Sequence, residues 1–280
     1  KGWGRMSGNM ENLREKYFPY YPFIILKRPN TTEDTGEAFG FSLVYSGNFL
    51  AHVEVDHFDA TRVTLGINPF DFSWNLNSGE IFQTPEAIIS FCNSGLNTLS
   101  QNFHSLYRER LIRGEWKEKE RPILINNWEA TYFDFNEEKL LNMVRKAKKL
   151  GFELFVLDDG WFGKRNDDKT SLGDWFPNLD KLPNGIKGLA EKVKAEGMKF
   201  GLWFEPEMIS KESELYKKHP DWILGVKDRK LSLGRNQYIL DFSNPEVINY
   251  IAQAMMNVID DSYISYIKWD MNRCMSEVYI

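Results

Sequence analysis

Residues 136–161, NEEKLLNMVRKAKKLGFELFVLDDGW, contain a helix signal followed by a strand signal, and this pair decides the fold class. Asn136 is a favourable helix N-cap, and apolar residues recur three or four positions apart until Gly151, a typical helix stop. The short apolar run Phe152–Leu157 is typical of a buried strand. It ends in Asp158-Asp159-Gly160-Trp161, which is too polar for a core. The stretch therefore predicts a helix, then a buried strand with polar residues at its carboxyl end.

The alternation of strand and helix continues on both sides of this stretch. Further strands are predicted at Pro122–Trp128, Lys199–Phe204 and Tyr263–Trp269. Further helices are predicted around Leu189 and Val193 up to Gly197, from near Ser210 to before Pro220, and from Asn244-Pro245-Glu246 onward. Such alternation indicates parallel βα units. No glycine-rich phosphate loop follows a strand, which argues against a nucleotide-binding open sheet.

The number of predicted strands fits about half of a barrel. A (β/α)8 TIM barrel takes about 250 residues, whereas positions 122–280 supply 280 − 122 + 1 = 159. We therefore predict that residues 118–280 form the first half of such a barrel, with about four βα units.

The part of the chain before residue 115 has a different pattern. Apolar residues alternate with polar ones at period two, as in Phe41/Leu43/Tyr45, Val53/Val55 and Val63/Leu65/Ile67, and turn residues separate the runs. This pattern predicts an antiparallel β-sandwich over residues 1–117, of which the chain holds the C-terminal part. The charged stretch Arg108–Arg121 fits either a connector or a solvated helix.

Composition narrows the possible functions. With 42% hydrophobic and 27% charged residues the chain resembles ordinary soluble proteins. Its net charge, 35 − 40 = −5, lacks the basic footprint of nucleic-acid binding. Its apolar runs are too short to span a membrane. Both ends look cut, since the chain starts at Lys1 without an initiator Met and stops at Ile280, just past a predicted strand. We expect a cytoplasmic protein. Because the N-terminus is missing, the sequence does not decide whether the parent protein has a signal peptide.

Cysteine and histidine give no sign of a metal or disulfide framework. Cys92 and Cys274 are too few for such a framework and fit no zinc spacing. The four histidines are scattered along the chain. We therefore expect no metal and no cofactor.

The predicted strands all end in residues that suit a functional site. In βα barrels the site collects at the carboxyl ends of the strands. Each end combines a carboxylate or amide with tryptophan, whose ring suits contact with sugars as well as with a core. The four ends are Asn126-Asn127-Trp128-Glu129, Asp158-Asp159-Gly160-Trp161, Trp203-Phe204-Glu205-Pro206-Glu207 and Lys268-Trp269-Asp270-Met271-Asn272. Together they predict one polar site at the barrel mouth.

Asp270 is the candidate reactive carboxylate. Strand side chains alternate between faces, so Lys268, Asp270 and Asn272 share one face. An ammonium beside a carboxylate favours the ionised carboxylate, which a glycosidase nucleophile must be. The alternative is a buried, purely structural Lys268–Asp270 pair.

Asp158 and Asp159 form a candidate sugar-binding pair. Gly160 allows the backbone to turn, so that both carboxylates reach the mouth and accept hydrogen bonds from vicinal hydroxyls. A proton-sharing catalytic pair or metal ligands remain alternatives at this point.

Read together, these segments resemble glycoside hydrolase family 36, the α-galactosidases of bacterial type. The agreement covers nearly all of the second half in family order, and the first half resembles the later part of the family's N-terminal β-sandwich. The segments are Asn127–Phe133, Leu157–Gly163, Leu172–Trp175, Gly201–Met208, Gly234–Gln237 and Lys268–Arg273.

The resemblance implies a role for each site residue. Asp270 corresponds to the nucleophile that forms a covalent galactosyl-enzyme. Asp158 and Asp159 correspond to the carboxylates that hold galactose hydroxyls far from the anomeric carbon. The remaining residues correspond to polar sugar contacts and aromatic pocket walls: Lys268, Asn272, Arg235, Trp128 and Trp203. The implied reaction is retaining hydrolysis of terminal α-galactosides such as melibiose and raffinose. Whether the parent enzyme forms a homo-oligomer stays open.

Retaining hydrolysis also needs a second carboxyl group that acts as acid and then as base. In the family this aspartate comes from a later barrel strand, beyond Ile280, so we expect the chain alone to be inactive. Three other functions stay open: a galactosyltransferase of the raffinose-synthase type, a non-catalytic sugar-binding module, and a metal-dependent barrel hydrolase.

Overall fold

The computed structural model describes residues 4–7, 21–70, 72–226, 229–231 and 233–273. Cys274 lies outside these ranges. Within them, no helix is both long and apolar enough to cross a membrane.

The chain divides into two compact units, Lys1–Glu120 and Arg121–Ile280. The predicted assignment of residues 1–117 and 118–280 as domains has its boundary close to this division and stays a prediction.

In the part of the first unit that the structure describes, there are two three-stranded antiparallel sheets. Its strands are β1 (Gly4–Ser7), β2 (Phe23–Lys27), β3 (Ala38–Val44), β4 (Phe49–Val55), β5 (Thr61–Ile67) and β6 (Glu86–Cys92). One sheet has the order β1-β4-β5 and the other β2-β3-β6. Ile24 and Leu43 of one sheet pack with Phe49 and Ala51 of the other in a single buried cluster. The predicted antiparallel β architecture is confirmed, and the period-two alternation marks the residues of this cluster.

A helix in the first unit was not predicted from the sequence. Helix α1 (Gly95–Leu106) packs Leu99 and Phe103 beside β3. At Gly40 an added Cβ would lie 2.4 Å from the Phe103 ring, so only glycine permits this contact. The charged stretch that follows has one π-helical turn at Tyr107–Leu111 and one 3-10 turn at Gly114–Lys117.

In the described residues, the second unit contains a four-stranded parallel sheet flanked by helices, as predicted, and a separate antiparallel pair of strands, β10 and β11. Its strands are β7 (Leu124–Asn126), β8 (Leu154–Leu157), β9 (Lys199–Phe204), β10 (Met208–Ser210), β11 (Gln237–Ile239) and β12 (Ile264–Trp269). Its helices are α2 (Trp128–Thr131), α3 (Glu137–Lys149), α4 (Gly185–Ala195), α5 (Glu214–Lys218) and α6 (Pro245–Asp260). Strands β7, β8, β9 and β12 pair in parallel in that order. The first half of a βα barrel has this strand order.

The two helices with the clearest sequence signals are confirmed. The Asn136 side chain accepts a hydrogen bond of 2.9 Å from the Lys139 N–H and caps α3. Asn244 caps α6 in the same way, with 2.9 Å to the Glu246 N–H. The buried face of α3 consists of the apolar residues whose spacing predicted the helix: Leu140, Leu141, Val144 and Ala147.

The helix predicted to begin near Ser210 is wrong in its first residues. Ser210 ends β10, which pairs antiparallel with β11, and its hydroxyl accepts a hydrogen bond of 3.1 Å from the Leu172 N–H. The helix begins at Glu214, where the Ser213 hydroxyl accepts the Tyr216 N–H at 3.0 Å. Pairing with a distant strand therefore overrides the local helical pattern.

Candidate active site

The site lies at the carboxyl ends of β7, β8, β9 and β12, where side chains from separate strands meet. Asn126 from β7 donates a hydrogen bond of 2.5 Å to Asp158 after β8. Trp203 from β9 donates one of 3.0 Å to Asp270 after β12. The predicted clustering of strand ends is thus found in the structure.

Asp270 is a half-buried carboxylate held by three neutral donors. Its Oδ2 accepts 3.0 Å hydrogen bonds from the Trp203 indole N–H and from the Asn272 amide. Its Oδ1 accepts the Met271 backbone N–H at 3.0 Å. The Asp270 N–H donates to the Phe204 carbonyl at 2.8 Å, which extends the β12–β9 pairing to this residue. Both the backbone and the carboxylate therefore have a fixed orientation.

Lys268 does not pair with Asp270, contrary to the sequence-based argument. Its ammonium donates to Asp158 Oδ2 at 2.7 Å, across the intervening strand β9. The physical reason is burial: the Asp158 side chain is only 4% exposed and needs a cation. Asp270, in contrast, already has its donors.

The adjacent Asp158 and Asp159 have separate partners. Asp158 Oδ1 accepts the Asp159 N–H at 2.9 Å, and the positive φ of Gly160, +102°, turns the chain away. Asp159 then forms a bidentate ion pair with Arg165, at 2.9 Å from Nε to Oδ1 and 2.8 Å from Nη2 to Oδ2. Each carboxylate thus has its own cation, which argues against a proton-sharing pair.

The Asp159–Arg165 pair is buried, with side chains 9% and 2% exposed. Burial raises the pKa of the Asp159 carboxyl, and the hydrogen bonds and charge of Arg165 oppose that rise. The Lys181 ammonium supports this loop by donating to the carbonyls of Gly160 and Arg165, each at 2.9 Å. Burial lowers the pKa of Lys181 to about 8.

Arg235 and Asn272 also lie at the site and contact each other. The Arg235 guanidinium donates to Asn272 Oδ1 at 2.7 Å. Arg235 and Asn236 both have positive φ, 50° and 64°, in the turn before β11. Asn272 consequently links this turn to Asp270.

The two predicted tryptophans differ in exposure. The Trp203 ring is buried in the core and stacks on Phe162 at 6.0 Å, so its N–H is the part that reaches Asp270. Trp128 is half-buried at the start of α2 and packs edge-on against Tyr132 at 5.1 Å. Of the two rings, only that of Trp128 has a substantial exposed part.

Glu205 is a carboxyl group at the site for which the sequence indicated no role. It follows β9 directly and is completely buried. Its Oε1 accepts the Asn272 backbone N–H, and its Oε2 accepts the Gln237 amide at 3.4 Å. Burial raises the pKa of Glu205 to about 7, and the charges of Asp270 and Asp159 act in the same direction.

Among the described residues, no group of three or more His, Cys, Asp or Glu side chains is placed to hold a metal ion.

Two protein-family models match this chain. The model described as Melibiase matches residues 81–280, and the one described as Glycosyl hydrolase family 36 N-terminal domain matches residues 18–77. The chain belongs to glycoside hydrolase family 36. Both the predicted family and the order of a β domain followed by a partial parallel α/β region are therefore confirmed.

Similar proteins include two bacterial α-galactosidases. Alpha-galactosidase AgaA of Geobacillus stearothermophilus is 59% identical over 257 residues, 92% of this chain and 35% of that protein. Alpha-galactosidase Mel36A of Lactobacillus acidophilus is 54% identical over 258 residues, again 92% and 35%. The crystal structure of AgaA matches with a TM-score of 0.92 and 55% identity, over 99% of this chain and 38% of that one. The chain thus spans between 35% and 38% of the length of these relatives.

Variants of AgaA have been crystallised with oligosaccharides. The complex with raffinose matches this chain with a TM-score of 0.92 and 55% identity, covering 99% of this chain and 38% of that one. The complex with stachyose has a TM-score of 0.92 and 54% identity, with the same coverage.

Two residues of the site, Arg165 and Lys181, were not found by the sequence reasoning, and Glu205 was placed at the third strand end without a role. Arg165 and Lys181 lie in the long irregular segment between β8 and α4, which has no periodicity to interpret. Glu205 had a usable signal, because a carboxylate directly after an apolar strand, buried from Phe200 to Phe204, needs a partner.

Proposed function

We propose that the complete enzyme is an α-galactosidase that cleaves terminal α-galactosyl residues with retention, using Asp270 as nucleophile. The observation that carries the proposal is the fixed, half-buried carboxylate of Asp270 among the donors Trp203, Met271 and Asn272. Such a group is suited to attack an anomeric carbon and to form a covalent glycosyl-enzyme. The high identity to proteins named α-galactosidases supports the same reaction here.

The polar residues around Asp270 would bind the sugar. Asp158, backed by Lys268, would accept hydrogen bonds from galactose hydroxyls, and Asp159 would do so with lone pairs that Arg165 leaves free. Asn272 and Arg235 would make further polar contacts, as would the free donors of Lys268. Trp128 supplies an aromatic wall, whereas Trp203 contributes chiefly its N–H. We infer α-galactoside oligosaccharides as substrates, since variants of AgaA were crystallised in complex with raffinose and with stachyose. The cytoplasmic location and possible homo-oligomerisation stay predictions.

The acid/base carboxyl group is proposed to come from a strand beyond residue 280. A retaining glycosidase needs it about 5–5.5 Å from the nucleophile. Glu205 is near Asp270 but fully buried, with both oxygens directed at protein donors, so it cannot protonate a leaving group. We therefore expect the 280-residue chain alone to give no turnover.

The test is hydrolysis of an aryl α-galactoside by the complete enzyme, with NMR detection of the first galactose anomer released. We expect α-galactose first and little activity on the matching α-glucoside. A first product in the β form would refute the retaining mechanism. Added sucrose separates the alternatives, because a galactosyltransferase would form galactosyl-sucrose in preference to free galactose, and a binding module would bind galactosides without turnover.

Asp158→Asn should lower kcat/KM for the aryl α-galactoside by about 100-fold. The substitution weakens the carboxylate acceptor, and hydrogen bonds to charged groups contribute about 1.5–3 kcal/mol each. It also removes the anion that holds Lys268 at 2.7 Å. The measurement is steady-state kinetics with the complete enzyme.

The matched control is Asp261→Asn, which neutralises an aspartate whose ion pair with Lys187, 2.9 Å long, is exposed. We expect a change below about twofold, because exposed pairs contribute little. Equal kcat/KM in Asp158→Asn and wild type would contradict the proposed sugar contact.

A further inference from the structure

Glu205 is a fully buried carboxyl group that the proposed reaction does not use as acid or base. It stands between two segments from different parts of the chain, Gln237 on β11 and Asn272 after β12. Desolvating a carboxyl group is unfavourable unless its partners compensate, so the position of Glu205 needs an explanation.

The contacts of Glu205 lead directly to the candidate nucleophile. Glu205 Oε1 accepts the backbone N–H of Asn272. The side-chain amide of that same residue donates to Asp270 Oδ2 at 3.0 Å. Holding the Asn272 N–H fixes the Cα from which the side chain starts, and the amide itself is then oriented by Arg235 and Asp270. Glu205 is thus one residue removed from the reactive carboxylate.

We propose that Glu205 is a positioning residue that holds the turn Asp270-Met271-Asn272 so that the Asp270 carboxylate faces the anomeric carbon. The inference rests on the proposed role of Asp270 as nucleophile. Glu205 itself does not touch the substrate.

The surroundings of Glu205 also fit a carboxyl group that is neutral part of the time. Gln237 Oε1 is buried and has no hydrogen-bond partner among the described residues. With the Gln237 amide turned over, so that its oxygen instead of its nitrogen faces Glu205 Oε2, a protonated Glu205 would supply the donor that this oxygen lacks, while its other oxygen still accepts from Asn272. Burial raises the pKa of Glu205 to about 7, in line with such a form near neutrality. Glutamine, which is neutral and has the same shape, should therefore preserve the clamp.

The test compares three variants of the complete enzyme, Glu205→Gln, Glu205→Asp and Glu205→Leu. Glu205→Leu removes the acceptor, and we expect kcat for an aryl α-galactoside to fall about 100-fold with KM within about threefold, since misplacing a reacting group by about 1 Å costs this much. Glu205→Asp keeps the charge but shortens the reach, and should lose about 20-fold. Glu205→Gln should stay within about fivefold of wild type. Should the leucine variant not fold, the aspartate variant decides.

A second measurement excludes a purely structural role. The rate at which a 5-fluoro galactosyl fluoride labels Asp270 measures the reactivity of the nucleophile, and only folded molecules contribute to it. The matched control is Asp174→Leu, which also removes a buried carboxylate, here one that accepts the N–H groups of Glu214 and Leu215 at 2.9 and 3.0 Å. This control should lose stability but keep the labelling rate, whereas Glu205→Leu and Glu205→Asp should label slowly.

The outcomes separate the two proposals. Wild-type labelling rates in Glu205→Asp would overturn the positioning role, as would equal losses of labelling rate in Glu205→Leu and Asp174→Leu. Failure of wild-type enzyme to be labelled at Asp270 would refute the proposed nucleophile instead.

Discussion

Asp270→Ala is expected to lower kcat/KM for an aryl α-galactoside by roughly 10⁴- to 10⁶-fold in the complete enzyme, the range seen when a nucleophilic residue is removed. At about 1.36 kcal/mol per tenfold, this is a loss of about 5–8 kcal/mol of transition-state stabilisation. The reason is that the covalent route disappears, because none of the three donors around Asp270 can replace the carboxylate as a nucleophile. Steady-state kinetics with wild type and variant measures the effect.

Azide should restore turnover of Asp270→Ala. The alanine leaves a space beside the Trp203 N–H and the Asn272 amide, where a small anion can bind. The bound anion can attack the anomeric carbon in a single displacement, which inverts its configuration. The product should be the β-galactosyl azide, identified by NMR. Release of the α-azide, or wild-type activity of the variant without azide, would rule out Asp270 as the nucleophile.

Glu207→Gln is the matched control for this experiment. Glu207 also follows β9 closely, but its carboxylate accepts the Trp269 indole N–H at 3.0 Å, and Trp269 lies on the opposite face of β12 from Asp270. We expect less than about a fivefold change.

The helices that the sequence predicted well are those whose determinants are local. Asn136 and Asn244 cap α3 and α6 through residues two or three positions away, so no distant partner is needed. The wrong helix start near Ser210 has the opposite origin. Residues 208–210 form a strand because they pair with residues 237–239, and no short sequence window contains both. Helix α1 was missed although Leu99 and Phe103 are four residues apart, because the preceding period-two pattern was extended too far.

The same distinction explains the site. Parallel strands end at one edge, so the strand pattern alone is enough to predict that Asp158, Trp203 and Asp270 lie together. The strand pattern does not predict which donor pairs with which carboxylate. Lys268 lies on the expected face, yet its four-carbon side chain reaches across β9 to the more deeply buried Asp158. The ammonium pairs with the carboxylate that is more deeply buried, and the burial of each carboxylate depends on the packing of the whole unit.

Arg165→Met should lower the free energy of unfolding by about 3–5 kcal/mol, because it leaves Asp159 buried without its cation. The exposed pair Arg145–Glu196, 2.9 Å long, supplies the control Arg145→Met, for which we expect less than about 1 kcal/mol. Urea unfolding followed by tryptophan fluorescence measures both.

The loss in Arg165→Met should depend on pH with a defined sign. Burial already raises the pKa of Asp159 in the folded state, and without Arg165 the rise is larger. A group whose folded pKa is raised destabilises the fold as pH increases above its unfolded value, so the loss should be larger at pH 8 than at pH 5. Adding Asp159→Asn to Arg165→Met should recover much of the lost free energy of unfolding, since the buried charge is then absent. A loss below about 1 kcal/mol, or one equal at both pH values, would mean that Arg165 does not compensate a buried charge.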